Sequence, residues 1–466
     1  MSAKPERRAP YIGRSLPRFE DLRLITGQGR YADDISLPDQ AYVAFVRSPH
    51  PHARIRRIDG AAARALPGVV AVLAAEDYAA SGGRGVMHAP NPADTVDYTV
   101  KAFGKKGQPF EPPHLPFARE RVRYVGEPVA MVAAASVAQA RAAAEAVRVD
   151  YEALPAVVDA LEAIKPDAPQ LFDGAPRNIV VEDEFGDGAA LEAVFARAHL
   201  VVEQVFHAQR VVATQMEPRA LLAAFDQGRS ELTVFTGSQG AVRVKSDLAA
   251  CLAMPPDHVH VITQDVGGAF GLRTHLNPEQ IAVAWAARHI GRPLKWTSER
   301  TEAFLADYQG RDMITRGRLA FDADARMLGL AVEMTGNVGG HPVSFVFLNN
   351  ARRVIPTVYD LPLAHVRIRG VVTNTVPTAP YRGAGRPEAI LTIERLIDIA
   401  ARRLGIDRLD LRRRNLVKRS QMPYRTATGL TYDSGDFVAN LTKAAAAADW
   451  AGFPARRQAA KRRGLL

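Results

Sequence analysis

A glycine-rich turn is the first segment whose residue types could do chemistry. Gly267, Gly268, Ala269, Phe270 and Gly271 follow a predicted strand and precede a predicted helix. Because glycine has no Cβ, backbone N–H groups in such a turn can closely approach an anionic or oxo-bearing ligand. The turn is neither the Gly-x-Gly-x-x-Gly of a dinucleotide site nor a P-loop, which needs Gly-Lys-Ser/Thr. Taken alone, a structural turn is the simpler interpretation.

A second segment, Ala379-Pro-Tyr-Arg-Gly-Ala-Gly-Arg-Pro-Glu388, combines two arginines with glycines just before a predicted helix. The first arginine is Arg382, and Gly383 and Ala384 follow it directly. Such a helix entry can fix a carboxylate, a phosphate or a carbonyl oxygen. The alternative is an ordinary helix-entry loop with surface arginines.

A third segment, Thr236-Gly-Ser-Gln-Gly240, lies at the end of a predicted strand. The side chain of Gln239 offers one acceptor and two donors there, although a single glutamine is usually only a turn residue. Ser238 lacks the Gly-x-Ser-x-Gly elbow of a serine nucleophile.

No metal site is predicted from the histidines or the cysteine. His258 and His260 share one face of a predicted strand, but no third ligand is evident among His207 and His275. The only cysteine, Cys251, excludes an intrachain disulfide and a cysteine-based zinc or iron–sulfur site. One cysteine suits a reducing compartment, and we expect a cytoplasmic protein.

Composition and charge narrow the classes of protein further. The 466 residues are 47% hydrophobic and 24% charged, which is ordinary for a globular chain of two or three domains. The net charge of +10 makes nucleic-acid binding a function to consider. Acidic and basic residues are interspersed, however, and no basic-aromatic stripe occurs, so no nucleic-acid partner is predicted. The best apolar run, near Leu66 to Ala75, is too short to span a membrane.

The elements before residue 160 predict a compact α/β unit. Pro128–Ala134 is a short apolar run typical of a buried strand, and Ser136 with Gln139 forms a capping box for a helix over Val137–Ala146. Val147–Tyr151 alternates as a half-buried strand does. Prolines from Pro166 to Pro176 then indicate a linker.

The elements after residue 178 must position the three segments. We predict strands over 199–206, 220–225, 231–236 and 258–263, and a helix over 242–252. Asn277 and Pro278 begin another helix. A last helix opens at Pro387 and ends at Gly405, with an apolar stripe of Ile390, Ile393, Ile397, Ala400 and Leu404.

The order of these segments resembles one family. Strand and Gly-Ser-Gln, then strand and Asp265-Val-Gly-Gly-Ala-Phe-Gly271, then Tyr381-Arg-Gly-Ala-Gly-Arg-Pro-Glu388 with its helix, is similar to the large subunits of molybdenum hydroxylases. These include xanthine dehydrogenase, aldehyde oxidase and the carbon monoxide dehydrogenase large chain. Three more segments match family stretches: Gly13 to Ile35, Tyr124 to Pro155, and Gln215-Met-Glu-Pro-Arg219.

The resemblance implies an α+β fold with four parts. These are an a/b hammerhead domain at 13–160, a linker at 161–177, the first molybdenum-cofactor-binding domain at 178–420, and at 421–466 the truncated start of a second such domain. It also implies a molybdenum–molybdopterin cofactor, in its cytosine dinucleotide form, with FAD and [2Fe-2S] clusters on partner subunits. The partners would be an iron–sulfur small subunit, an FAD-binding medium subunit and a small-molecule substrate.

Roles carry over to the three segments. Gln239 matches the glutamine that reaches toward an oxygen on molybdenum, and Gly267 to Gly271 match the loop beside the cofactor. Arg382 matches an arginine that stabilises charge on the substrate, with Gly383 and Ala384 beside it at the cofactor. The implied reaction is hydroxylation of an aldehyde, N-heterocycle or similar carbon with water as the oxygen source. No protein side chain is predicted to ligate the metal directly.

Two departures from the family shape the expectation. Gly383 stands where the carbon monoxide enzyme has a copper-binding cysteine, so a copper–molybdenum site is not expected. The catalytic glutamate of the family has no counterpart here, so we expect the missing half on a separate chain or a longer gene product, and no activity without it. The alternative is a non-catalytic scaffold that docks iron–sulfur and flavin subunits.

Overall fold

A computed structural model describes residues 11–88 and 109–465. The strands are β1 (Ala41–Arg47), β2 (Ala53–Asp59), β3 (Val69–Ala74), β4 (Arg121–Val122), β5 (Pro128–Ala134), β6 (Arg148–Ala153), β7 (Ile179–Phe185), β8 (Leu200–Ala208), β9 (Ala220–Asp226), β10 (Glu231–Thr236), β11 (Val259–Ile262), β12 (Leu294–Thr297), β13 (Met313–Phe321), β14 (Met327–Gly339), β15 (Ala364–Val372), β16 (Tyr424–Arg425) and β17 (Thr431–Tyr432). The α-helices are α1 (Asp21–Ile25), α2 (Ala61–Arg64), α3 (Ala75–Ala80), α4 (Val137–Ala146), α5 (Ala160–Ala163), α6 (Gly188–Arg197), α7 (Ala241–Cys251), α8 (Pro278–Ile290), α9 (Arg300–Ala306), α10 (Val346–Val354), α11 (Arg386–Leu404), α12 (Arg408–Asn415), α13 (Phe437–Ala447) and α14 (Phe453–Arg462).

A seven-stranded sheet, ordered β11-β10-β9-β12-β1-β5-β3, joins strands from distant parts of the chain. β1 pairs in parallel with β12, with Ala41 opposite Leu294. The predicted linker at 161–177 therefore separates strands that share one sheet. The domain boundaries themselves stay predictions.

The predicted strand and helix at 128–146 are confirmed at the same residues. Every residue of β5 is buried because β1 and β3 flank it and α4 packs on it. The Ser136 hydroxyl accepts a hydrogen bond from the Gln139 N–H at 3.3 Å and caps the helix. The following strand, β6, pairs with β2 in a separate three-stranded sheet, and its Val149 packs in one hydrophobic cluster with Val132 of β5 and Ala143 of α4.

A five-stranded sheet, ordered β7-β15-β14-β13-β8, carries the second large core. Only β8 of these strands was predicted. The long helix α11 packs on β13 and β8, and Gly317 leaves room for it, since a Cβ there would lie 2.8 Å from Leu396.

The predicted apolar stripe of α11 is wrong at one position. Ile393, Ile397 and Ala400 are fully buried, but Ile390 is 48% exposed. Ile390 lies on nearly the same side of the helix as Ile397, seven residues later, so its exposure comes from its place near the start of α11 and not from its helical face.

The last described residues form the small sheet of β16 and β17 and the helices α13 and α14. The assignment of 421–466 to a second cofactor-binding domain stays a prediction. Among the described helices, none is both long and apolar enough to cross a membrane.

Candidate functional site

Parallel pairing brings the first two predicted segments together. β10 and β11 run in parallel, with Phe235 opposite Ile262. The chain therefore leaves both strands at the same edge of the sheet, into Gly237–Gly240 and 263–271 respectively. The hydroxyls of Ser238 and Thr263 lie 2.7 Å apart and join the two exits.

Gln239 is bonded directly to the glycine-rich turn. Its Oε1 accepts a hydrogen bond from the Gly271 N–H at 2.8 Å, and its side chain is exposed. The turn needs left-handed backbone at Gly268 (φ 109°), Phe270 (φ 53°) and Gly271 (φ 101°). Glycine adopts that region without strain, which explains two of the three residue types. Phe270 adopts it as a non-glycine residue and presents a ring that is 42% exposed.

The arginine segment closes against the same turn. The Arg382 N–H donates to the Phe270 carbonyl at 2.8 Å, and the Arg382 guanidinium lies 6.0 Å from the Phe270 ring centre. A Cβ on Gly271 would lie 2.3 Å from the Pro380 carbonyl oxygen, so the two loops are in tight contact. Gly383 (φ 96°) and Ala384 (φ 44°) form the turn that follows.

The nine predicted site residues thus lie in three loops, and the glycine-rich turn contacts each of the other two: Gln239, Gly267, Gly268, Ala269, Phe270, Gly271, Arg382, Gly383 and Ala384. Their roles toward a ligand stay predictions.

The exposed groups of this site are mainly donors. No described residue accepts a hydrogen bond from the N–H of Gly268, Ala269 or Phe270. The same holds, within the described residues, for the Gln239 amide N–H₂ and the Arg382 guanidinium. Such a set of donors suits an anionic ligand that is rich in oxygen.

Glu217 and Arg273 form a buried support that the sequence analysis did not identify. A Glu217 carboxylate oxygen accepts the Gly267 N–H at 2.8 Å and pairs closely with the Arg273 guanidinium. The Arg273 carbonyl accepts the Gln239 N–H at 3.1 Å. One ion pair therefore ties the glycine-rich turn to the Gln239 loop. The only available signal was the segment Gln215-Met-Glu-Pro-Arg219, which matched the family without a role.

A second support lies beneath the first. Glu279, on α8, pairs with Arg219 at 2.6 Å and with Arg47 at 2.8 Å, and all three are buried or nearly so. Burial opposes ionisation, but the two guanidinium groups prevail and lower the pKa of Glu279 to about 2. The predicted start of α8, with Asn277 as the cap and Pro278 at the first helical position, is confirmed, and the Asn277 N–H donates to Gln280 Oε1 at 3.0 Å.

Asp265 anchors the segment that enters the glycine-rich turn. Its carboxylate accepts both ends of the Arg23 guanidinium, at 2.5 and 2.6 Å, and the Arg30 N–H at 2.7 Å. The hydrogen bond from Arg23 holds the pKa of Asp265 at about 2. The N-terminal segment is thereby fixed to the site.

A buried cluster of His114, Glu127 and His341 escaped the sequence analysis because its members are far apart in the chain. Their potential ligand atoms lie within 4.8 Å of one another. The two rings stack 4.0 Å apart and 6° from parallel, however, so one ion could not lie in the plane of both. His341 Nε2 is already 2.9 Å from Glu127 Oε1. Within the described residues, the cluster is therefore one hydrogen-bonded His341–Glu127 pair with the His114 ring stacked on it, and not a preformed ion site.

Comparison with known protein families gives two matches. Residues 26–155 match the "Aldehyde oxidase and xanthine dehydrogenase, a/b hammerhead domain", and residues 171–416 match the "Molybdopterin cofactor-binding domain".

Individual relatives agree with these matches. The carbon monoxide dehydrogenase large chain of Hydrogenophaga pseudoflava is 34% identical over 461 residues, 95% of this chain and 55% of that one. The large molybdopterin subunit of nicotinate dehydrogenase from Eubacterium barkeri is 27% identical over 93% of this chain and 95% of its own length. The crystal structure of quinoline 2-oxidoreductase from Pseudomonas putida 86 superposes with a TM-score of 0.88 at 34% identity, over 98% of this chain and 56% of that one. The chain spans about half the length of the first relatives that it matches.

Proposed function

Because this chain belongs to the family of molybdopterin-binding large subunits of the xanthine dehydrogenase and aldehyde oxidase type, we propose that it forms one wall of a molybdenum hydroxylase active site. The substrate would be an aldehyde, an N-heterocycle or a similar electrophilic carbon centre. The convergence of the Gln239 loop, the Gly267–Gly271 turn and the Arg382 loop carries this proposal.

The residues present fit the cofactor. When bound, the molybdenum cofactor supplies a two-electron oxidation of the substrate carbon with water as the oxygen source. The N–H groups of Gly268, Ala269 and Phe270, which donate to no described residue, and the Gln239 amide would hold oxygen atoms of the group. The Phe270 ring would exclude water from one side of it.

Arg382 would act on the substrate. Its guanidinium is exposed, and a permanent positive charge there would stabilise negative charge that develops on a substrate oxygen or nitrogen. The Phe270 ring, 6.0 Å away, limits where that guanidinium can lie.

The general base would come from sequence outside this chain. Among the described residues, three carboxylates lie in or beside the three loops, and each is paired with an arginine: Asp265 with Arg23, Glu217 with Arg273 and Glu388 with Arg311. The arginine partners occupy the oxygens of these carboxylates, and the Glu217 and Glu388 side chains are only 9% and 2% exposed, so neither of these two reaches a substrate between the loops. We therefore propose that the site is completed by a further polypeptide segment and that this chain does not turn over substrate without it.

The structure also bears on carbon monoxide chemistry. Cys251 is fully buried, and its thiol donates to the Gly85 carbonyl at 3.3 Å. Burial raises the pKa of this thiol to about 12, so it stays protonated. With Gly383 in the arginine loop, this chain has no thiolate for copper, and we propose a hydroxylase rather than a copper-dependent carbon monoxide oxidiser.

The remaining parts of the enzyme are proposals of the same kind. We propose the cytosine dinucleotide form of the cofactor, and electron transfer through [2Fe-2S] clusters on a small subunit to FAD on a medium subunit. We place the assembled complex in the cytoplasm.

The test uses the complex purified from a molybdenum-replete host that carries the native gene neighbourhood. We expect molybdenum and pterin in the complex and dye-coupled oxidation of at least one member of a panel of aldehydes and N-heterocycles. Arg382→Ala should lower turnover by about 100-fold or more while the metal remains bound, because it removes an electrostatic contact to the reacting group. Arg412→Ala, far from the three loops, is the control.

Absence of molybdenum in a folded complex would refute the proposal. Partner subunits bound without molybdenum or turnover would favour the scaffold instead. Turnover by this chain alone would refute the part that assigns the base elsewhere.

A further inference from the structure

Hydrogen bonds hold both backbone polar groups of Arg382, the N–H and the carbonyl. Its N–H donates to the Phe270 carbonyl at 2.8 Å, and its carbonyl accepts a hydrogen bond from Arg311 Nη2 at 2.6 Å. The side chain of Arg382, in contrast, is exposed and makes no hydrogen bond to any described residue. The location of its guanidinium therefore depends on how firmly its backbone is fixed.

Arg311 is fixed in turn by a buried carboxylate. Its Nη1 lies 3.3 Å from Glu388 Oε1 and 3.2 Å from Oε2, and the Glu388 side chain is 2% exposed. Glu388 is in the first turn of α11, where the helix dipole favours a negative charge. Because the guanidinium is planar, one end can bind Glu388 while the other binds the Arg382 carbonyl. The Arg311 guanidinium also lies 5.2 Å from the Tyr381 ring.

The backbone of Arg311 is strained, so this arrangement has a cost in conformational free energy. Arg311 and Asp312 are consecutive left-handed residues, with φ 65° and 66°, and neither is glycine. Such strain persists only where surrounding contacts determine the conformation. Here Asp312 pairs with Arg210 at 2.8 Å, and Arg210 Nη1 donates to the Val376 carbonyl at 2.7 Å.

We propose that Arg311 and Glu388 are positioning residues that set the location of Arg382, and through it the specificity and rate of the site. The inference rests on the proposed function only for the role of Arg382. The mechanical part, a clamp that fixes the Arg382 loop, stands on the contacts of this chain. Loss of either partner would free the loop without removing any group that touches substrate.

The mechanical part is tested by amide hydrogen exchange on this chain. Arg311→Lys keeps the positive charge but removes the planar guanidinium that binds Glu388 and the Arg382 carbonyl at once. Glu388→Gln keeps the shape of the side chain but removes its negative charge. Both should speed exchange of the Arg382 amide by about tenfold or more, since its protection depends on a local opening. The matched controls are Arg412→Lys and Glu394→Gln, because Glu394 lies on the same helix and pairs with Arg412 at 2.6 Å. The inference would be overturned if the exchange rate of the Arg382 amide were unchanged in both the Arg311 and the Glu388 variants. It would also be overturned if the two controls changed that rate as much as the two variants do.

The functional part is tested by a double-mutant cycle in the molybdenum-loaded complex. Arg311→Lys should lower kcat/KM about tenfold in the native background and change it by less than about twofold when Arg382 is already alanine. A general structural defect would lower kcat/KM equally in both backgrounds, and that result would overturn the positioning role. A complex without molybdenum would instead refute the proposed function, and the exchange result would still decide whether the clamp exists.

Discussion

Replacing Gly271 with alanine tests the packing of the two loops that form the site. Gly271 has φ 101°, and a Cβ there would lie 2.3 Å from the Pro380 carbonyl oxygen. The obstacle is backbone rather than the end of a flexible side chain, so the Arg382 loop must retreat. An alanine in left-handed backbone costs about 1–2 kcal/mol. The retreat also breaks the 2.8 Å bond from the Arg382 N–H to the Phe270 carbonyl, which contributes about 1 kcal/mol.

We therefore expect Gly271→Ala to lower the free energy of unfolding by about 2–4 kcal/mol. Urea denaturation followed by circular dichroism measures this change. The matched control is Gly240→Ala at the same site. Nothing lies within 4 Å of a Cβ on Gly240, and its φ of 172° is ordinary extended backbone. Because Gly240 is the N-cap of α7, where alanine is less favourable than glycine, this control should lower the free energy of unfolding by no more than about 1 kcal/mol.

A Gly271→Ala protein as stable as the Gly240→Ala protein would refute this reasoning, because it would show that the loops do not pack as closely as 2.3 Å implies. Amide exchange of Arg382 gives a local check. It should accelerate in Gly271→Ala and stay at the native rate in Gly240→Ala.

Three further predictions concern the groups that support the site. Glu217→Gln should lower the free energy of unfolding by about 3 kcal/mol in a urea titration, because it leaves the buried Arg273 guanidinium without its counter-charge. The control is Glu203→Gln at an exposed ion pair, which should lower the free energy of unfolding by less than about 1 kcal/mol. Equal losses in the two variants would contradict the argument from burial. The pKa of Glu279 is depressed to about 2 from 4.5, so its contribution to stability is complete above pH 4.5 and is lost as pH falls toward 2. Glu279→Gln should therefore flatten the pH dependence of unfolding in that window, and an unchanged slope would refute the assignment. Cys251, whose pKa is raised to about 12 by burial, should react with iodoacetamide at pH 8 only after denaturation; rapid labelling of the native chain would show that the thiol is accessible.

Short-range patterns in the sequence were sufficient to predict several strands and helices. Pro128–Ala134 and Val137–Ala146 are found at the predicted residues, and Ser136 and Asn277 are the predicted N-caps of α4 and α8, although Gln139 Oε1 binds the Ser136 hydroxyl and not the Ser136 N–H that a full capping box requires. These features depend on residues within one or two turns of each other, so composition and spacing carry the information. The order of the three glycine- and arginine-containing segments was also sufficient to indicate the family.

Longer-range features required the tertiary structure. The parallel pairing of β1 with β12 joins residues that are far apart in the chain, and no local pattern distinguishes that partner from others. The same is true of Glu217 with Arg273 and of Arg311 with Glu388. In the sequence, such charged residues cannot be told from exposed ones, because only the fold shows which of them are buried as pairs.

The site itself divides in the same way. The sequence by itself determined which residues carry the donors, because a glycine turn, a strand-end glutamine and a helix-entry arginine can be read from residue types. Only the tertiary structure decided that Gln239 contacts Gly271 and that Arg382 contacts Phe270. The physical reason is that parallel strands and a buried ion pair, formed by distant segments, place the three loops at one edge of the fold.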